Sequence, residues 1–348
     1  GGVTLQAQVK ELEATLYLNQ GGNPNGYIQG SNPTAVLFSP TQGVRGQAIK
    51  FTDMKGSGNE KIVRFAVRSE VLAEGRGLFS QGKYLEAAQA FGKVAAAYQI
   101  IMHIPNNFCT EARYFQIESL RRAGKFSQMA PLMEDNLGKT VYTHLSDRYK
   151  GQFEMQKLWA LYGKGDIAGL KEGLAVHEVR QSGEMELLPT PNFKDMSQAQ
   201  MAQLSFMRAK IYEKEGEADK ALQDYYRVMT LTFSNDDYLS MQAMGSAINL
   251  ETKDPNLNSE KAKAKEKAQH KVQMLTYYFG KRFGASKIPQ RLSEYNVRPQ
   301  VPLPMSAPPA EPEAEEAPAE EAAPAEGDAE GAEEKKGKKK KDKKKDEE

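Results

Sequence analysis

Residues Val71 to Tyr98 constrain the fold of this chain more than any other stretch. In the second half, apolar or small residues fall at Tyr84, Ala87, Ala88, Phe91, Val94, Ala95 and Tyr98. Their steps of three, one, three, three, one and three keep a single helical face. Ahead of them, Gln81-Gly82 supplies a glycine able to take the left-handed conformation that stops one helix and turns the chain into the next. The stretch therefore predicts two short helices folded against each other. The same spacing returns at Ala218, Ala221, Leu222, Tyr225, Val228, Met229 and Thr232, behind Glu215-Gly216, so the pattern is an internal repeat.

With small Gly75 and Ala209 in the first helix, Gly82 and Gly216 at the turn, and Ala87/Phe91 and Ala221/Tyr225 in the second, the two stretches resemble the tetratricopeptide (TPR) motif. The resemblance implies helical hairpins stacked into a curved α-solenoid that binds other proteins, hence a mainly α, non-enzymatic scaffold or adaptor. Further hairpins are expected at Asn107–Ala123 with Phe126–Leu137, and at Phe153–Tyr162 with Ile167–Val179. A fourth pair is expected over Ser197–Phe233, and a fifth over Ser240–Leu250 with Asn258–Phe283. The turn glycines Gly82, Gly124, Gly165 and Gly216 lie 42, 41 and 51 residues apart, longer than the ~34 of the standard repeat. Linkers such as 181–196, with Pro189 and Pro191, hold the excess. The aromatic end of the last helix is expected to cap the stack.

Both ends differ from this middle. Glu13–Leu18, Thr34–Phe38 and Gly46–Thr52 are short and rich in β-branched and aromatic residues, with turn formers at Asn23–Gly26 and Lys55–Asn59. They predict a small β module over 1–60, of a length that suits a five-stranded SH3-like barrel. Lys61–Val67 fits either a last strand or the start of the first helix. The helical body is expected over 61–285. From Ala307 to Glu348 the chain is Pro/Ala/Glu-rich and then Lys-rich, with fifteen acids against nine lysines. It buries too little apolar area to offset ordering entropy, so the tail, 286–348, is expected to be disordered from about Val297.

Residues 307–348 carry about −6 and the first 306 residues about +7, which the net charge of +1 conceals. The only cysteine is Cys109, so no intrachain disulfide and no cysteine metal cluster can form. No apolar run approaches the roughly 20 residues of a transmembrane helix. A start at Gly1-Gly2-Val3 without methionine suggests a removed secretory signal and a periplasmic or cell-envelope location, with a cytoplasmic one left open.

Catalytic and cofactor signals are weak. Gly77–Tyr84 almost matches the phosphate-binding loop GxxxxGK[ST], but Tyr84 replaces the Mg²⁺-holding hydroxyl and the run lies inside a helical hairpin. His103, His144, His177 and His270 are scattered without metal-ligand spacing. Cys109 reads as a buried small hydrophobe rather than a nucleophile. No enzyme, cofactor or metal is expected. The lysines of 261–271 and of the tail can contact anionic surfaces, phosphates included. That gives an alternative to the scaffold, a nucleic-acid-associated protein that also uses the small β module.

What the resemblance puts forward instead is a groove lined by the first helices. Aligned on the turn glycines, Arg76, Phe79, Tyr114, Glu118, Arg121, Arg122, Trp159, Tyr162 and Lys210 point into it and would meet a protein or peptide partner. Arginines and aromatics are the usual anchors of such contacts. Phe79, Trp159 and Tyr162 also suit a core role. The Lys/Asn set with which chaperone-binding TPRs clamp a terminal carboxylate is absent, with Tyr114 and Glu118 in its places.

Overall fold

A computed structural model describes residues 8–55, 62–181, 184–187, 197–232 and 236–299, the stretch 178–187 by its backbone alone. The N-terminal part is an antiparallel sheet of β1 (Leu12–Leu16), β2 (Asn25–Asn32), β3 (Ala35–Ser39), β4 (Gln47–Lys50) and β5 (Val63–Phe65) in the order β4-β3-β2-β1-β5. A short 3-10 turn, Phe51–Asp53, follows β4. Alternation sets the buried face, since Leu12, Ala14 and Leu16 are buried while Glu13 is exposed. β5 resolves the ambiguity at 61–67 in favour of a strand.

One strand was not legible. The turn expected at Asn23–Gly26 falls instead at Gly21-Gly22, both with positive φ (87° and 88°), and Asn25-Gly26 opens β2. A Cβ on Gly26 would lie 2.3 Å from the Ser39 carbonyl oxygen, so this glycine serves close strand packing. The turn expected at Lys55–Asn59 lies largely outside the described residues.

The rest is mainly helical. α1 (Arg68–Ser80) and α2 (Tyr84–Ala97) form the first hairpin, and α3 (Phe108–Arg122) packs on α2. α6 (Asp147–Lys164) precedes α7 (Ile167–Ala175), and α8 (Gln198–Glu215) pairs with α9 (Ala218–Leu231). α10 (Asp237–Glu251) packs between α9 and α11 (Ala262–Phe283). Gly82, Gly124, Gly165 and Gly216 all have φ between 69° and 82°, the left-handed turns expected of them. Gly82 thus ends a helix, and the phosphate-loop match has no strand before it.

Two helices differ from the sequence expectation. In place of one helix from Phe126 to Leu137 the chain forms α4 (Met129–Glu134) and α5 (Asn136–His144). Asp135 is extended between them and accepts a hydrogen bond from the Gly138 amide at 2.6 Å, a side-chain cap that starts a new helix. The helix expected to reach Val179 stops at Ala175. The backbone then makes a hairpin of β6 (Glu178–Gln181) and β7 (Glu184–Leu187). At the other end, residues assigned to the tail fold back: 3-10 turns at Ala285–Lys287 and Gln290–Tyr295 place buried Leu292 with Met244, Ile248 and Phe279. Residues 300–348 lie outside the described ones.

The sheet and the first helices share one core. Leu16, Ile28 and Val36 join Leu72, Phe91, Ile101 and Phe108 in a single buried cluster. The main helical core gathers Tyr114, Trp159, Phe206, Tyr225 and Ala243. Gly75 lets α1 approach α2, because a Cβ there would lie 2.6 to 2.8 Å from the ring of fully buried Phe91. Gly75→Ala is therefore expected to cost about 1–3 kcal/mol by overpacking. Gly77→Ala in the same helix, with open space around the new methyl, should gain up to about 1 kcal/mol. Urea midpoints of the two variants check the pair.

Candidate functional site

Several of the residues expected to line a groove are buried within the protein. Arg121 is 1 % exposed. Its guanidinium bonds Glu118 at 2.7 Å and reaches Asp236, the N-cap of α10, at 3.0 Å. Glu118, also buried, accepts from Gln152 and Gln156 of α6 and from Arg122. Gln203 of α8 continues the network by accepting the Trp159 indole N–H at 2.8 Å. Trp159 is buried and stacks on Phe126 with centroids 4.4 Å apart. Tyr114 is buried and stacked on Tyr149. Half-buried Tyr162 packs edge-on against Phe126 and Trp159, and Phe79 against Tyr84 and Phe115. Lys210 is held by Glu213 and Ser246. Of the nine expected groove residues, Tyr114, Glu118, Arg121 and Trp159 are thus interior.

Arg76 leads elsewhere. It lines an open cleft of about 610 Å³ with Val63, Arg64, Phe65, Ala66, Arg68, Ser69, Asn106, Ser146 and Arg148. Three stretches distant in sequence meet here: β5 with the adjoining α1, the turn before α3, and the start of α6. Behind these side chains lies Glu111, at 2 % exposure. Its two carboxylate oxygens bind Arg68 and Arg76, each at 2.6 Å, and Arg148 lies 3.8 Å away. Arg68 also donates to the Asn106 carbonyl at 2.8 Å, while Arg148 lies 4.3 Å over the Tyr149 ring.

The local folding explains the convergence. Glu111 is in the first turn of α3, where the helix dipole favours a carboxylate, and the Asn107 side chain caps that helix by accepting from Thr110. Asn106 before it takes φ 54°, a left-handed conformation asparagine tolerates. Its amide donates to the His144 carbonyl at 2.8 Å, which ties the turn to the end of α5 and brings α6 alongside. Four arginines line the cleft, three of them around one buried carboxylate, and leave it cationic. Arg148, with 63 % of its side chain exposed, and exposed Arg64 are placed to meet an incoming anion.

Arg64, Arg68, Glu111 and Arg148 were not singled out in the sequence. Arg64, Arg68 and Arg76 do stand in one short segment, but they share a wall only because β5 ends at Phe65. Glu111 and Arg148 carry no local signal.

Among the described residues no group of three or more His, Cys, Asp or Glu could hold a metal, and no helix is long and apolar enough to cross a membrane. Burial pushes the Cys109 thiol up to about 12 against the pull of Arg113, so it is no nucleophile at neutral pH. Comparison with protein-family models, with characterised proteins and with solved structures finds no match.

Two tests follow from this electrostatics. Burial alone would raise Glu118, yet Arg121 and then Arg122 and Gln156 hold it at about 2. Arg121→Ala leaves Glu118 and Asp236 buried without their main cation and is expected to cost about 3–5 kcal/mol, read from urea unfolding at neutral pH. His144 is pushed down to about 4, by burial and then by His103 beside it. An unfolded imidazole titrates near 6.5, so this contribution is complete above that pH and is lost as pH falls from about 6.5 toward 4. His144→Gln should flatten the urea midpoint across that window.

Proposed function

We propose that this chain is a non-enzymatic protein-interaction scaffold built of TPR-like helical hairpins, and that it recognises its partner through the arginine cleft. Left-handed glycines at four helix turns and the Gly75–Phe91 contact support the TPR-like reading. Five antiparallel strands with a 3-10 turn between the last two support an SH3-like reading of the N-terminal module. The observation that carries the proposal is the cleft: Arg68, Arg76 and Arg148 converge on buried Glu111 in a concavity open to solvent.

Glu111 has a mechanical role in this reading. By holding two guanidinium groups in fixed positions it lowers the side-chain entropy lost when a partner binds. Arginine presents a planar fork suited to carboxylates. The cleft would thus offer a pre-positioned cationic surface on a rigid support rather than a reacting centre.

The test is photocrosslinking in the producing cells. A benzoylphenylalanine at Ser69, an exposed cleft residue, should join a protein, and adding Arg148→Glu should cut the yield about tenfold. The same probe at exposed Lys263 should not capture that protein. Crosslinks only to nucleic acid, or to the same protein from Lys263 alone, would overturn the proposal and in the first case favour the nucleic-acid reading.

A further inference from the structure

The cleft has a second property besides its charge. β5 is an edge strand, last in the order β4-β3-β2-β1-β5, and Val63, Phe65 and the following Ala66 line the cleft. The register identifies which backbone groups face it. Tyr17 donates its amide to the Ile62 carbonyl at 3.0 Å, and Thr15 pairs with Arg64. In an antiparallel ladder the bonded positions alternate, so residues 62 and 64 turn their N–H and C=O toward β1. Val63 and Phe65 turn theirs outward. Among the described residues no strand pairs with that edge.

We infer that the cleft takes an extended acidic peptide segment of a partner protein, which adds to the sheet as a strand beside β5. This rests on the protein-interaction reading and specifies its ligand. Strand addition to an exposed edge uses main-chain hydrogen bonds for affinity and side-chain contacts for specificity. Here the outward N–H and C=O groups of Val63 and Phe65 supply the first. Arg64, Arg68, Arg76 and Arg148 supply the second, with Arg68 and Arg76 held in place by Glu111.

The chemistry favours a peptide over a nucleic acid. Phosphates accept hydrogen bonds but do not donate them, so they would leave the outward carbonyls of Val63 and Phe65 unanswered, whereas a peptide edge offers both donors and acceptors. It also disfavours a second copy of the chain. Edge-to-edge pairing of two β5 strands would bring the arginine clusters together, and charge on an edge is a device against such pairing. An acidic strand relieves that repulsion.

The experiment uses the full chain and a fluorescein-labelled peptide of alternating glutamate and valine, followed by fluorescence anisotropy. Saturable binding is expected, weakened about tenfold or more by Arg148→Glu. That exposed residue can change sign without loss of fold, which the unfolding midpoint checks. The same peptide N-methylated at alternate residues probes the backbone pairing without altering the protein, and one of the two N-methyl registers should lose binding. A lysine–valine peptide should not bind.

The inference is overturned if the acidic peptide does not bind, if both N-methylated registers bind as tightly as the parent, or if Arg148→Glu changes nothing. It is also overturned if a single-stranded oligonucleotide of equal charge competes as well as the unlabelled peptide, which would make the cleft a general anion site. Photocrosslinking of a protein from Ser69 together with no acidic-peptide binding would leave the scaffold reading standing and remove only this ligand.

Discussion

The Arg121 guanidinium is the interaction on which the helical body depends. It lies at the end of α3 with its donors directed to Glu118 on its own helix and to Asp236 at the start of α10, more than a hundred residues away. Glu118 in turn takes hydrogen bonds from two glutamines of α6, one of which, Gln152, pairs with Gln203 of α8. Four helices are thereby registered through one buried polar network. Such a network is costly to desolvate, and it stabilises only when its members are satisfied together. Here the carboxylate is met by two arginines and two amides, while the buried Gln156 carbonyl oxygen is left without a partner among the described residues.

The arginine cleft uses the same chemistry with the opposite outcome. Glu111 is as buried as Glu118, but its arginines come from the surface side and remain partly in solvent: the Arg76 side chain is 44 % exposed and that of Arg148 63 %. A carboxylate that anchors exposed guanidinium groups orders them without consuming the whole of their charge. The same residue types thus build a closed brace at the α3–α10 contact and an open cationic cleft at β5.

Rigidity of that surface comes from the shared core beneath it. Phe65 of β5 packs edge-on against Phe108 at the start of α3, with centroids 5.2 Å apart, and Phe108 meets Tyr98 after α2 at 4.9 Å. The Ser31 hydroxyl donates to the Ile100 carbonyl at 2.7 Å. Sheet and helices therefore hold the cleft walls from both sides, and movement of one wall would disturb aromatic packing on the other.

By itself the sequence determined the helix pairs α1–α2 and α8–α9, because a 3.6-residue period and a glycine at the turn are local signals that need no partner; it did not show the break at Asp135 that separates α4 from α5. It also marked the change to β structure near the N-terminus and the compositional break at the tail. It did not determine β2, whose Asn25-Gly26 start has the chemistry of a turn and becomes strand only because it lies between β1 and β3. Nor could it separate core from surface among Arg76, Arg121 and Arg148. On a helix, arginine at one position looks like arginine at another until the surrounding helices exclude water from it or leave it wet. Tertiary structure made that choice, sealing Arg121 between α3 and α10 and leaving Arg148 open beside β5, since burial is a property of the packed whole.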